Sequence, residues 1–462
     1  MRRFINGTLL TSAIFGLVSC EAMKGPETAS TTTVSTPKIW TAASTGQNAQ
    51  ISSGWLREFR DSRMTKLVNE ALAHNQNLQS IAHRLRAARE GTIIGNAARL
   101  PSLSASTGYR RSDAKSEPST ENYSVSLNAG WEPDLWGRLR NLEQIARADY
   151  AATLADFRGA RLSLAANTAK AWCNLVTAEQ QLTLAEKTVE SYKTALPVVE
   201  RRYRATTLRA VDLQFARNNV ASAERSLRVR RLNRDNAARA LEIFLGRYPS
   251  ASVASSDELP ALSANVPAGL PSELLSRRPD LQAAAADLYS SAQRAEASRK
   301  DLLPDLRLTG GASNGADSIR RAFDPNFLLY SIASSLSQTL YQGGAPSARA
   351  RAALEQNKAE IYDYSRIALL AFREVESALA ADLSLAEQQV FLEQEVQQTR
   401  LAEKRALSDI TLGIDGASFL EYLEAQRRSE NAGISLIRLK NDRLQNRIDL
   451  HLALGGDFST PQ

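Results

Sequence analysis

Cysteine, histidine and methionine are scarce in this 462-residue chain, which has two, three and three of them respectively. Two cysteines cannot build a disulfide framework, and three histidines among scattered acids give no metal-ligand spacing. Long apolar runs are missing too. After the first 20 residues nothing approaches the 18 or so residues of a spanning helix, which excludes a helical inner-membrane protein. Membrane β-strands remain open, because their signal per segment is much weaker. No Walker loop and no convincing catalytic constellation occurs. The excess of 57 basic over 50 acidic residues is dispersed along the chain, the pattern of solvated helix faces, and no nucleic-acid partner is expected. Proline is unevenly missing: none of the 15 falls between Pro133 and Pro197 or between Pro346 and Pro461, leaving two long tracts free of the strongest helix breaker.

The N-terminus has the form of an export signal, with Arg2 and Arg3 ahead of a short apolar region, Leu9 to Val18. Its end, Leu17-Val18-Ser19-Cys20, resembles the lipobox of bacterial lipoproteins, in which the cysteine is acylated and becomes the first mature residue. Residues 1–19 are therefore expected to be a signal peptide and Cys20 the lipid attachment site, the covalent lipid being the only added group. Residues 20–54, rich in Ser and Thr up to about Gln50, read as a lipidated, flexible tether. Glu21 lacks the aspartate of inner-membrane retention and points toward the outer membrane.

The chain repeats itself once. Leu100-Pro101-Ser102-Leu103 recurs as Leu303-Pro304-Asp305-Leu306, a shift of 203. Ala178-Glu179-Gln180-Gln181 recurs as Ala386-Glu387-Gln388-Gln389, a shift of 208, and Asp212 with Ala216 lies on Glu421 with Ala425 at 209. The halves are set at 55–260 and 261–456, with 457–462 as a tail, and each reads as a helix, two strands, a very long helix and a second helix. The long helices are expected over 138–203 and 347–412, and at 1.5 Å per residue each is on the order of 100 Å long. Leu182, Ala185, Val189, Tyr192, Leu196, Val199 and Tyr203 follow alternating spacings of three and four, a coiled-coil seam. Pro197 inside that seam predicts a kink or a nearby helix end. Shorter helices are expected over 64–99, 209–245, 272–303 and 418–454.

Four segments alternate as strands. Tyr123, Val125, Leu127, Ala129 and Trp131 interleave with Ser124, Ser126, Asn128 and Gly130, and Leu103, Ala105, Thr107 and Tyr109 with Ser102, Ser104, Ser106 and Gly108. Leu306 and Leu308 open a third strand, and Tyr330, Ile332, Leu336 and Leu340 mark one face of a fourth. A soluble sandwich gives the same alternation. In an exported chain it favours the membrane, where four strands cannot close a barrel and open edges are not tolerated, so closure has to be intermolecular. Two copies give eight strands, a size filled by side chains; three give twelve and leave room for a lumen.

At this point the sequence resembles the TolC-like outer-membrane factors, and within them the lipoprotein branch of OprM-like and NodT-like proteins. The most specific segment is Leu270-Pro271-Ser272-Glu273-Leu274-Leu275-Ser276-Arg277-Arg278-Pro279-Asp280-Leu281. Supporting it are Trp131-Glu132-Pro133-Asp134-Leu135-Trp136-Gly137-Arg138, Tyr341-Gln342-Gly343-Gly344, Phe419-Leu420-Glu421-Tyr422-Leu423-Glu424-Ala425-Gln426 and Leu452-Ala453-Leu454-Gly455-Gly456. The resemblance implies a mainly α protein with a membrane β-barrel portion: a homotrimeric 12-stranded barrel in outer-membrane lipid, continued by a periplasmic α-helical barrel. It further implies docking on a periplasmic adaptor and an inner-membrane pump of the resistance-nodulation-division type. Extracellular loops are expected at 111–122 and 314–326, both polar, and an equatorial belt around 246–271 with the ends of the mature chain. Trp131 and Trp136 suit either an interfacial aromatic girdle or packing at a strand-helix junction.

In such a protein the helix-helix turns near 204–212 and 412–421 meet the adaptor and constrict the pore. The first turn departs from the family, with Thr206 where glycine is usual, and the second is two residues longer than its counterpart. Asp415, Glu421, Glu424 and Asp212 are the candidate pore or adaptor residues, because three copies of a carboxylate form a ring that attracts cations. Solvated helix charges account for them equally well. Two other readings stand beside an efflux conduit. One is the channel of a type I protein secretion system, against which the lipobox and the segment from Leu270 to Leu281 argue; the other is a periplasmic coiled-coil scaffold without a pore. Cys173, in an apolar stretch, is expected to be a small buried residue.

Overall fold

The computed structural model describes residues 39–42, 54–115, 117–205, 208–262, 269, 271–412, 414 and 418–456. The signal peptide and Cys20 lie outside them, as do Thr206, Gly413, Asp415 and Gly416. A 3-10 turn, Trp55–Phe59, precedes α1 (Ser62–His74) and α2 (Gln76–Ala97). Strands β1 (Ser102–Ala114) and β2 (Glu117–Trp131) lead into α3 (Arg138–Arg204) and α4 (Ala210–Phe244). The series then recurs: α5 (Pro271–Arg277), α6 (Pro279–Lys300), β3 (Asp305–Ala316), α7 (Ile319–Ala322), β4 (Leu329–Ser337), α8 (Ala345–Leu412) and α9 (Phe419–Ala453). The long helices have 67 and 68 residues.

Pro197 does not end α3, which runs unbroken through it to Arg204. The breaks come elsewhere. The helix expected over 64–99 divides at Asn75, whose Oδ1 accepts the Leu78 N–H at 3.0 Å to cap α2 while its Nδ2 donates to the Phe244 carbonyl at 3.1 Å. The helix expected over 272–303 divides at Arg278, because Pro279 disfavours helical geometry in the residue before it and is itself preset for a first turn.

The described residues pack as two units. One comprises His83–Asp156 and Asp280–Ile367. It holds an antiparallel sheet in the order β1-β2-β3-β4. The 111–122 segment expected as a loop is mostly ladder: Arg111 pairs Glu121, Ser112 pairs Thr120 and Ala114 pairs Glu117. The Arg111–Glu121 contact at 3.5 Å and the tilted Tyr109–Tyr123 rings, 5.0 Å apart, carry the strands past the polar stretch.

The Trp131–Arg138 motif builds the passage from β2 to α3. Asp134 accepts the backbone N–H of Leu139 at 3.0 Å and of Arg140 at 2.8 Å, capping the helix, and Glu132 pairs with Arg138 at 2.6 Å. The Trp136 indole donates to the Pro304 carbonyl at 2.7 Å, and that of Trp131 to Arg99 at 3.0 Å. Both rings stay half exposed, so each serves the junction with its N–H and leaves its apolar body outward. Beneath them Glu143, 3% exposed, is held between Arg99 at 2.5 Å and Arg147 at 2.9 Å, and its carboxyl lies below the usual range chiefly because Arg99 donates to it.

The other unit comprises the described residues within 35–82, 157–279 and 368–462. Its core joins Trp55, Phe59, Met64 and Val68 to Ala165, Ala169, Trp172 and Leu175 of α3, Leu241 of α4 and Ile448 of α9. Small residues on α3 let these helices approach closely. Asp61 caps α1 through the N–H groups of Arg63 and Met64 and accepts the Trp172 indole at 2.8 Å. Cys173 is fully buried here, and burial pushes its thiol up to about 12. Buried Arg447 is paired with Glu58 at 3.1 Å and with both oxygens of Asp382, at 3.0 and 3.1 Å. His451 stacks on Trp55, its Nε2 2.6 Å from Glu58 but out of line for a hydrogen bond.

Part of the expected tether is fastened. Trp40, 2% exposed, donates to the Gly269 carbonyl at 3.1 Å and packs against Phe372, and the Thr41 and Ala42 N–H groups each donate to Glu376 at 2.8 Å. An aromatic anchor and a carboxylate fork overcome the low apolar content that made the segment read as free chain.

Candidate functional site

Two surfaces stand out: the faces of the sheet and the helix turns. The register places Leu103, Ala105, Thr107 and Tyr109 of β1 opposite Ala129, Leu127, Val125 and Tyr123 of β2. On the same face β3 brings Leu306, Leu308, Gly310 and Ala312, opposite Leu336, Ser334, Ile332 and Tyr330 of β4. The reverse face carries Ser102, Ser104, Ser106, Ser124, Ser126, Asn128, Thr309, Ser313, Ser331, Ser335 and Ser337. One side of the sheet is therefore apolar across all four strands and the other is hydroxyl-rich, and much of the apolar side is open, Ile332 being 96% exposed. Alternation of this kind suits lipid on one face and water on the other. Leu340, expected on β4, falls beyond its end at Ser337.

At the helix turns α3, α4, α8 and α9 share a small core of Val199, Leu213, Ala216, Ile410, Phe419 and Tyr422. The seam on α3 is borne out at Leu182, Ala185, Val189 and Val199, whereas Tyr203 is exposed beyond it. Ion pairs tie α3 to α4 at seven-residue steps: Glu200–Arg217 at 3.1 Å, Lys193–Glu224 at 2.7 Å and Glu186–Arg231 at 3.7 Å. Exposed pairs add little stability each but fix the register. Arg202 of α3 donates to the Ile410 carbonyl in the last turn of α8, stapling the two long helices side by side.

The candidate carboxylates part company here. Asp212 is buried at the third position of α4, where it accepts the Arg209 backbone N–H at 3.2 Å and pairs with the Arg209 guanidinium. Arginine offers no acceptor in return, so only half of a capping box forms. Asp212 thus holds the turn and presents no free charge. Glu421, exposed in the first turn of α9, and Glu424 line one groove of 420 Å³ with Thr399, Ala402, Leu420, Ala425 and Arg428. Glu424 accepts from Arg428 at 2.8 Å and Arg427 at 2.9 Å, and these arginines, Arg428 first, hold its carboxyl below the usual range. Ser418 caps α9 through the Leu420 N–H, and Ser418-x-x-Glu421 is a helix-start signature that the charge-based reading passed over. Asp415 lies outside the described residues.

Two of the segments that carried the resemblance meet in space. Arg278 donates to the Ala453 carbonyl at the end of α9, 3.1 Å away, and pairs with Glu374 at 2.7 Å. Gly455 takes φ +81°, and a Cβ there would stand 3.1 Å from the Arg277 carbonyl. The segment around Arg277-Arg278-Pro279 and the Leu452–Gly456 ending are the two halves of one joint.

These features define an outer-membrane channel with a helical extension, and the chain belongs to the outer membrane efflux protein family, whose model matches residues 67–247 and 270–456. It is similar to the cation efflux system protein CusC of Escherichia coli, 30% identical over 423 residues and 90% of each chain. It is also similar to the probable outer membrane lipoprotein SilC of Salmonella typhimurium, 25% identical over 89% of each. Among solved structures, the outer-membrane channel OprN superposes with a TM-score of 0.85 at 25% identity, over 94% of this chain and 99% of that one. The protein is an efflux channel of the outer membrane, mainly helical with a small membrane sheet.

Proposed function

We propose that three copies of this chain close a 12-stranded barrel and act as the passive outer conduit of a tripartite efflux system. The observation that carries this reading is the four-stranded sheet, apolar on one face and hydroxyl-lined on the other, with β1 and β4 each lacking a neighbour on one side among the described residues. Backbone edges left open in lipid cost several kcal/mol per unpaired group, so the copies must pair edge to edge. The helix turns would meet a periplasmic adaptor, and an inner-membrane pump of the resistance-nodulation-division type would supply energy and choose the cargo. That cargo is small toxic compounds, cations among them, in keeping with a relative named for cation efflux. Cys20 would carry the lipid that holds the N-terminus in the membrane. No catalytic step is assigned to the chain.

The test has two parts. Unboiled outer-membrane samples should run as a heat-labile trimer, and the purified trimer should conduct in planar bilayers; a monomer without conductance refutes the conduit. Neutralising Asp415, Glu421 and Glu424 together should lower cation selectivity, and unchanged selectivity would remove the proposed ring. For the anchor, blocking lipoprotein signal peptidase should leave full-length precursor, and normal maturation under that block would exclude Cys20.

A further inference from the structure

The segment between β3 and β4 is not the polar loop its sequence suggested. It folds into α7 and a 3-10 turn, Pro325–Phe327, and exposes Ile319, Phe323 and Phe327 at 62%, 63% and 55%. Its position follows from one side chain. Asn314 pairs with Val125 in the ladder, which puts it on the apolar face of the sheet together with Tyr123, Leu127 and Ala312. There the Asn314 amide, nearly fully buried, donates to the carbonyls of Arg321 at 2.7 Å, Ala322 at 3.0 Å and Asp324 at 3.3 Å. The loop therefore lies on the apolar face and not on the hydroxyl-lined one. Ala322 is buried beneath it, while Ile319 and Phe323, four residues apart on one side of the turn, look away.

We propose that this loop is a lipid-seated foot on the barrel's outer wall, with Ile319, Phe323 and Phe327 in the apolar layer and Arg320 on a phosphate-bearing lipid headgroup, and that it does not cover the pore. The proposal rests on the reading of the apolar face as the lipid-facing one. Three observations on the loop support it. Its exposed apolar side chains continue the surface of Tyr330 and Ile332 on the same face. The Asn314 amide supplies the Ala322 carbonyl and adds a second donor to the carbonyls of Arg321 and Asp324, which the Asp324 and Phe327 N–H groups also serve, so these groups are met beside hydrocarbon, where each unmet group costs several kcal/mol. The charges are sorted as an interfacial segment requires: Arg321 is paired with Asp317 at 3.2 Å, whereas exposed Arg320 makes no ion pair among the described residues and is long enough to reach a headgroup.

The experiment uses the full-length trimer in phosphatidylcholine vesicles, spin-labelled one site at a time at Ile319→Cys and Phe323→Cys. Ile332→Cys serves as the lipid-facing control and Ser104→Cys as the control on the hydroxyl-lined face. Buried Cys173 does not compete for label. Labels at 319 and 323 should collide several-fold more often with oxygen than with a water-soluble nickel chelate, as at 332 and in contrast to 104. A nickel preference at 319 and 323 with 332 still oxygen-favoured overturns the foot and leaves the conduit intact. A nickel preference at 332 refutes the assignment of faces itself. Replacing half of the lipid by phosphatidylglycerol should move the 319 label deeper, and Arg320→Ala should abolish that shift; a shift that persists removes Arg320 from the headgroup site. Asn314→Ala should release the loop toward nickel without altering 332, and if that variant does not assemble, the two labels alone decide the question.

Discussion

Glu242 is fully buried yet ionised, because its carboxylate replaces lost water with the N–H groups of Ala251 at 2.7 Å, Ser252 at 2.7 Å and Val253 at 3.2 Å and with the Ser252 hydroxyl. Burial opposes ionisation, but these donors outweigh it and hold the carboxyl below its ordinary 4.5. A depressed carboxylate contributes stability that is present above 4.5 and lost as pH falls below it. Hydrogen exchange at residues 251–253 should be slow at neutral pH and accelerate in acid. Glu242→Gln, which faces those donors with an amide, should cost about 2–3 kcal/mol of local protection. Asp287, exposed on α6 but partly desolvated by its neighbours, behaves in the opposite sense: that desolvation first, then Asp156, Glu360 and Asp149, raises its carboxyl. Its contribution is favourable at low pH and is lost as pH rises through the raised value. Asp287→Asn should therefore increase the melting temperature at neutral pH, and the gain should vanish near pH 3; equal gains at both would show that charge is not the cause.

At the scale of elements, capping and tertiary contact decided the boundaries more than propensity did. Pro197 brings no N–H to the carbonyl of Lys193, yet α3 continues because the buried seam on either side, Val189 and Val199, holds it in place. Pro197→Ala should add up to about 3 kcal/mol of local helix stability, read as slower exchange across residues 193–201. No change in exchange there would mean that packing alone already fixes that turn. Asn75 ended a helix that periodicity carried through, because the Leu78 N–H that donates to it is local but the Phe244 carbonyl that accepts from it lies 169 residues away. The 111–122 hairpin was misjudged for a related reason. Its polar residues alternate across a ladder whose partners become evident only once the register is known, and charged pairs serve a water-exposed strand end as well as apolar pairs serve its middle.

At the scale of the whole molecule, two of the family-like segments, the one around Arg277-Arg278-Pro279 and the Leu452–Gly456 ending, share one structural purpose, which is to join helices. Arg278→Ala should uncouple the end of α9 from the α5–α6 joint at a cost of about 2 kcal/mol, seen as trimers that dissociate at lower temperature. Arg278→Lys, which keeps the charge but not the fork, should fall between wild type and alanine; trimers of unchanged heat stability in both variants would show that the joint lies off the assembly path.

The sequence by itself determined the doubled order of elements, the two long helices and the alternation of four strands, since each is written in local period or in short motifs. Its resemblance to the outer-membrane factors, carried by short motifs, made the two helix turns the expected adaptor contacts. Only the tertiary structure decided which carboxylates are free there, burying Asp212 under Arg209 while leaving Glu421 exposed, and which side of the sheet the β3–β4 loop lies on. The physical reason is common to both. A side chain's role depends on the partner it finds, and Asn314 found its partners only when β2 set the face on which it stands.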